Sequence, residues 1–249
     1  MKHIFIAVLF ILCLPAFSQV SGKVLYEEKM DLHRNIPEDR QEMKEMIPNY
    51  NTSMFELIFS ADSSIYQRQK DAVESTPTTT SSGGPPMGMK WGKENRMVYK
   101  NLGDDKMVDS REFMQKQFLI RGFPTERKWK IGKGQKEILG YHCMEASFVI
   151  DTATSLVAWF TPEISVSNGP ADYQGLPGLI LGVDINDGWR TITATDVKLE
   201  PVDPSIIVVP TKGKEVTAEE FEKIRKEKMK EMHMQGGGGG GQQMIMIKQ

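Results

Sequence analysis

Apolar and polar side chains alternate with a period of two along much of this chain, the spacing that sends successive residues to opposite faces of a strand. Val24, Tyr26 and Met30 fall on one side of a first strand, with Leu25, Glu27 and Lys29 on the other. Residues 54–59 and 64–69 read as a hairpin: Phe55, Leu57 and Phe59 share a face, and Ala61-Asp62-Ser63 supplies the turn. Further strands are predicted at 96–99, 106–109, 113–121, 128–131, 137–150 and 156–161. The long one has a core face of Met144, Ala146, Phe148 and Ile150. Residues 179–183 form a continuous apolar run, which reads as a strand buried on both faces. Asn186-Asp187-Gly188 then turns the chain into a strand over 189–199. Short, closely spaced strands predict a mainly β fold of β-rich α+β type. The expected form is a single strongly curved antiparallel sheet or half-barrel, with one concave face and one or two short peripheral helices.

Helical spacing is confined to two places. Residues 37–47 carry Pro37 in the first turn, Glu38 and Asp39 to complement the dipole, and Pro48 as a stop. Met43, Met46 and Ile47 make a stripe that can cap one end of a sheet. Thr217 and Glu220 spell a capping box that opens a charged helix running to about Gln235. Two stretches break the pattern. Residues 71–92 are dominated by Thr, Ser, Gly and Pro and read as a mobile loop inserted between strands. Six glycines at 236–241 precede a short end with Met244 and Met246, expected to be disordered.

The first residues change the picture of where the chain goes. Met1-Lys2-His3 is basic, residues 4–14 are apolar, and Ala16-Phe17-Ser18 places small residues where a signal peptidase reads. Residues 1–18 therefore read as a signal peptide, 19–211 as a single β domain, and 212–249 as a charged, Met/Gly-rich tail. Export across the inner membrane to the periplasm or cell surface follows. No later stretch approaches the roughly 18 apolar residues of a membrane helix. Losing the leader removes Cys13 and leaves Cys143 as the one cysteine, so an intramolecular disulfide is impossible. A net charge of −2 gives no electrostatic case for nucleic acid.

The most distinctive residues are Gly175-Leu176-Pro177-Gly178-Leu179-Ile180. Pro177 and Gly178 suit the two central positions of a type II turn, which would feed the apolar strand directly. One reading stops there; the other has Tyr173, Leu176 and Leu179 line an apolar groove. Upstream lie Lys136 through Ala146, then Ala158-Trp159-Phe160-Thr161-Pro162-Glu163-Ile164, then Gly169-Pro170. With these three motifs in order, residues 129–184 resemble the GLPGLI family of secreted envelope proteins. The resemblance implies a β-rich secreted fold. It implies no reaction, because that family has no established activity and no catalytic residues to carry over.

Motifs for common chemistries are missing. There is no Gly-x-Ser-x-Gly elbow, no His-Glu-x-x-His, no phosphate-binding loop and no dinucleotide fingerprint. His142 and Cys143 are adjacent, and neighbours on a strand point to opposite faces, so they do not form a thiol–imidazole pair. Asp184, Asn186 and Asp187 lack the twelve-residue calcium-loop pattern and read as a polar hairpin turn. Met229, Met232 and His233 share one face of the tail helix. They are either flexible apolar filler or soft ligands for Cu(I). Asn51-Thr52-Ser53 fits a glycosylation sequon, and Asp151-Thr152-Ala153 resembles an O-glycan acceptor of envelope proteins.

The sequence therefore points to a non-catalytic secreted envelope protein without a cofactor. Its concave sheet would bind an apolar ligand, an envelope lipid or lipidated segment, or another envelope protein. Trp159, Phe160, Tyr173, Leu176 and Leu179 are the expected lining. The alternative is periplasmic Cu(I) binding through Met229, Met232 and His233.

Overall fold

The computed structural model describes residues 20–34, 36–45, 47–69, 96–122, 127–151 and 154–236. The leader, Met46, the Thr/Ser-rich insertion, Thr152 and the glycine-rich end lie outside them. Twelve strands form one open sheet. They are β1 (Gly22–Asp31), β2 (Tyr50–Phe59), β3 (Ser63–Arg68), β4 (Met97–Asn101), β5 (Lys106–Phe113), β6 (Lys116–Gly122), β7 (Lys130–Ile138), β8 (Tyr141–Asp151), β9 (Thr154–Thr161), β10 (Leu179–Ile185), β11 (Arg190–Leu199) and β12 (Lys214–Val216). Their order is β12-β6-β5-β4-β3-β2-β1-β11-β10-β9-β8-β7.

Connectivity forces this sheet to curve. Ten strand spacings separate β6 from β7, about 48 Å if the sheet were flat. The chain joins Gly122 to Lys130 in eight residues, which reach at most about 29 Å. The two ends of the sheet must therefore bend toward each other. Val24, Tyr26, Leu57, Phe59, Tyr66 and Val98 fill the concave side at 0% exposure, which fits the predicted alternation.

Several local expectations change. Residues 137–150 are not one strand: Leu139 and Gly140, both at positive φ, make a tight turn between β7 and β8. Residues 113–121 are likewise split by Met114 and Gln115, at φ 50° and 63°. Neither residue is a usual left-handed former, so composition carried no turn signal there. The 37–47 helix is a 3₁₀ helix over Glu38–Glu45, irregular at Arg40 and without buried residues; of the expected stripe, Ile47 is buried with Leu32 and Ile36, and Met43 packs against them. The sheet is antiparallel except where β12 pairs parallel to β6. That pairing carries the body past residue 211, and Phe221 of helix α1 (Ala218–Gly236) packs on Phe118 and Ile120. The Thr217–Glu220 capping box forms as expected. The turn at Pro177 is not type II. The Gly178 N–H donates to Leu176 O at 2.8 Å, a γ-turn, because the Leu179 N–H is taken by Ile164 O at 3.1 Å.

Candidate functional site

The strand-free segment 162–178, between β9 and β10, lies inside the concavity. Its Ile164, Val166, Ala171, Tyr173 and Leu176 belong to the same core cluster as Tyr26, Leu57 and Val98. Two side chains fasten this plug: Lys100 of β4 donates to Gly169 O (2.7 Å), and Trp129, just ahead of β7, donates to Gln174 O (2.9 Å). Tyr26 of β1 donates to Ile180 O (2.7 Å) in β10, immediately after the plug. At Gly169 an added Cβ would lie 2.7 Å from Ile180 Cβ and 3.0 Å from Tyr173 O, so only glycine lets the segment close on itself.

This placement changes the meaning of the expected lining residues. Phe160, Tyr173, Leu176 and Leu179 come together as core, at 1, 9, 2 and 0% exposure. Their apolar surface is satisfied by the chain itself. Trp159 packs against the same cluster but is only partly buried: it pairs with Glu145 of β8, and Lys136 lies 4.3 Å over its ring. Near it an open groove of about 550 Å³ runs beside Lys136, His142, Cys143, Met144, Pro162 and Glu163.

What lies across the plug is charge. Asp172 bridges Arg127 (2.6 Å) and Arg96 (3.7 Å), and Arg127 stacks 4.6 Å over the Tyr173 ring. Asp109 of β5 holds both Arg96 (2.8 Å) and Arg111 (2.7 Å). On β1, Glu28 accepts from Tyr66 (2.6 Å) and Arg190 (2.7 Å). Together these groups make a belt across β11, β1, β3, β4 and β5, with Arg96 in electrostatic range of Glu28, Lys100, Asp172 and Arg190. Burial pushes the three carboxyls up, but their arginines outweigh it and hold Glu28, Asp109 and Asp172 below the ordinary carboxylate range. Burial raises the Tyr66 hydroxyl well above its usual value and Tyr173 to about 12. The belt is thus ionised acids, protonated phenols and fixed guanidiniums.

Lys100 is the exception. Burial, reinforced by Arg127 and Arg96 and opposed by Asp172, lowers its ammonium to about 7. The unfolded chain therefore holds a proton between pH 7 and 10.5 that the folded chain has released, so stability rises with pH through that window. Up to about 4 kcal/mol accrues between about pH 7 and 10, where tyrosine ionisation in the unfolded chain begins to oppose it. Lys100→Met is expected to lose this rise. Denaturation midpoints of both proteins at about pH 7, 8.5 and 10 check it; parallel slopes would count against the assignment.

Sequence reasoning missed the belt because its members are far apart along the chain, Glu28 and Arg190 by 162 residues. One signal existed: Glu28 continues the buried side of Val24 and Tyr26, and Lys100 that of Val98, so charges occupied core positions of strands. The remaining candidates are placed as follows. Cys143 is buried, donates to Tyr141 O at 3.6 Å, and is pushed by burial to about 11, while His142 is exposed. Asp184 accepts from the Gly188 N–H within its own hairpin turn, and Asn186 accepts from the Ser155 N–H of β9. The side chains of Met232 and His233 lie outside the described residues; Met229 is half-buried on α1. Asn51 sits in β2. No helix among the described residues is long and apolar enough to cross a membrane.

Residues 149–182, which span the end of β8, β9, the plug and the start of β10, match a family model described as a protein of unknown function (Porph_ging). No curated protein matches the chain. Among solved structures, PNGF-II in its P21 and C2 crystal forms superposes with a TM-score of 0.54 at 14% identity, covering 82% of this chain and 32% of that one. An uncharacterized conserved protein from Thermus thermophilus superposes at 0.39 with 4% identity, over 79% of this chain and 90% of that chain. This chain spans about a third of the PNGF-II chain, and the likeness is one of fold.

Proposed function

We propose that this chain is an exported, non-catalytic binding module, cleaved after Ser18 and resident in the periplasm or at the cell surface. The observation that carries the binding reading is the belt: a cation-rich row, partly open to solvent, across a concavity whose apolar depth is closed by the chain's own plug. An acyl chain therefore has little support as the guest, and an envelope partner bearing polar groups has more. The non-catalytic reading rests on the belt's ionisation. General acid–base work favours a group poised near neutral pH and in reach of substrate. Here the carboxylates are pinned in their charged form, the phenols in their neutral form, and Lys100 is sealed at 0% exposure.

Native mass spectrometry of the protein recovered from its own envelope tests this. The expected spectrum shows a chain beginning at Gln19 with a bound partner, and the Glu28→Gln/Arg190→Gln double variant loses that partner. A bare chain in both proteins, or one retaining the residues up to Ser18, would defeat the proposal.

A further inference from the structure

We infer that the open edge of β7 is a docking strand for an acidic, extended segment of a partner protein, which adds to the sheet as one further strand. This surface is separate from the belt, and the inference goes beyond the binding reading above. The sheet has two ends. One is β12, three residues long and followed at once by α1, whose Phe221 packs on the neighbouring β6. The other is β7, nine residues long and paired with β8 alone. Among the described residues no backbone hydrogen bond reaches the far side of β7. Lys130, Ile131, Lys133, Gln135, Lys136 and Glu137 are all exposed, Ile131 by 47%. Such an edge presents a row of N–H and C=O groups that another peptide backbone takes up.

Charge selects the partner. Residues 128–138 hold four lysines and one glutamate, net +3, in a chain of net charge −2. None of Lys128, Lys130, Lys133 and Lys136 is in an ion pair among the described residues. Two β7 edges laid together would join +3 to +3, so a second copy is repelled and an acidic strand is drawn in. The register says where pairing occurs. Ile131 pairs with Ala146 and Gln135 with Met144, which leaves Gly132, Lys133 and Gly134 opposite Glu145 alone. That bulge interrupts the ladder, so regular pairing is available over residues 135–138. The groove of about 550 Å³ opens beside the same stretch, at Gln135 and Lys136, and is lined further by Cys143, Met144 and Pro162. Main-chain bonds along 135–138 supply affinity, the groove admits one apolar side chain of the guest, and Lys130 and Lys133 meet its acids. An anionic polysaccharide or lipid surface would use the lysines and leave the backbone row unmatched.

The test is fluorescence anisotropy of the whole chain with a labelled, capped peptide alternating glutamate and valine. Saturable binding that weakens as salt is added is expected, with no binding of the matching lysine–valine peptide. Methylating two adjacent central amides of the acidic peptide keeps its charge and blocks both of its edges; affinity should fall about tenfold. Lys130→Glu/Lys133→Glu alters exposed positions, should fold as the unaltered protein does, and should weaken binding about tenfold at low salt. Hydrogen exchange should slow on binding at residues 130–138. Absence of binding, equal binding of the lysine–valine peptide, or slowed exchange confined to another strand would overturn the inference. So would indifference to methylation, which would mark the lysines as a general polyanion surface, or a dimer whose β7 amides are protected before any peptide is added. Failure of the peptide leaves the envelope partner of the belt untouched, and a bare chain from the envelope leaves peptide binding at β7 untouched, so the two readings fail separately.

Discussion

Gly178→Ala is expected to abolish the folded state at ambient temperature. An alanine Cβ there would enter the backbone of Thr161, lying 2.6 Å from its carbonyl carbon and 2.9 Å from Pro162 N. Backbone cannot swing aside as a side-chain tip can. Gly178 also sits at φ +151°, a region open in practice only to glycine. Steric clash and backbone strain therefore act together at the point where the plug hands the chain to β10. A loss beyond about 4 kcal/mol places this among the severe substitutions. The comparison is Gly140→Ala: φ is +82°, nothing lies within 4 Å, and the expected loss is only about 1 kcal/mol from the left-handed backbone. Denaturant titration of both variants, followed by near-ultraviolet circular dichroism, separates the two mechanisms. If Gly178→Ala unfolds within about 1 kcal/mol of the unaltered protein, the plug is not clamped as described.

Asp172→Asn should cost about 3–5 kcal/mol, because it takes from Arg96 and Arg127 the carboxylate they share. Its pH signature is distinctive. Burial raises the Asp172 carboxyl, but Arg127 and then Arg96 prevail, and its pKa in the fold falls far below that of the unfolded chain. The stability from this pair is therefore complete above the unfolded value near about 4 and is lost as pH falls toward the folded value. The unaltered protein should lose stability on acidification below about pH 4 more steeply than Asp172→Asn does. An equilibrium denaturation series at about pH 3 and pH 7 gives both quantities. Equal losses at the two pH values would show that the side chain's shape, not its charge, holds the plug.

The plug also explains which parts of the sequence could be read. Strand alternation at Val24/Tyr26 and Phe55/Leu57/Phe59 was legible because burial on one face writes itself into every second residue. The Asn186-Asp187-Gly188 turn was legible because left-handed backbone selects such residues. Leu139, Met114 and Gln115 take the same backbone without the matching residue types, held there by the pairing of β7 with β8 and of β5 with β6. The apolar residues around Pro177 belong to the buried core. Whether their surface met a guest or the chain's own sheet depended on where residues 162–178 went, which no local pattern encodes.

The amino-acid order alone thus determined a β-rich chain, the register-setting faces of its strands and the cap at Thr217, because each is a matter of neighbours a few residues apart. The tertiary structure decided that the concavity is filled, that the parallel strand at Lys214–Val216 extends the sheet, and that Glu28, Lys100, Asp109, Asp172 and Arg190 share one electrostatic neighbourhood. The physical reason is range. Turn geometry and strand alternation are fixed within a few bonds, whereas a charge in the core is tolerable only beside partners that the curvature of the whole sheet brings to it.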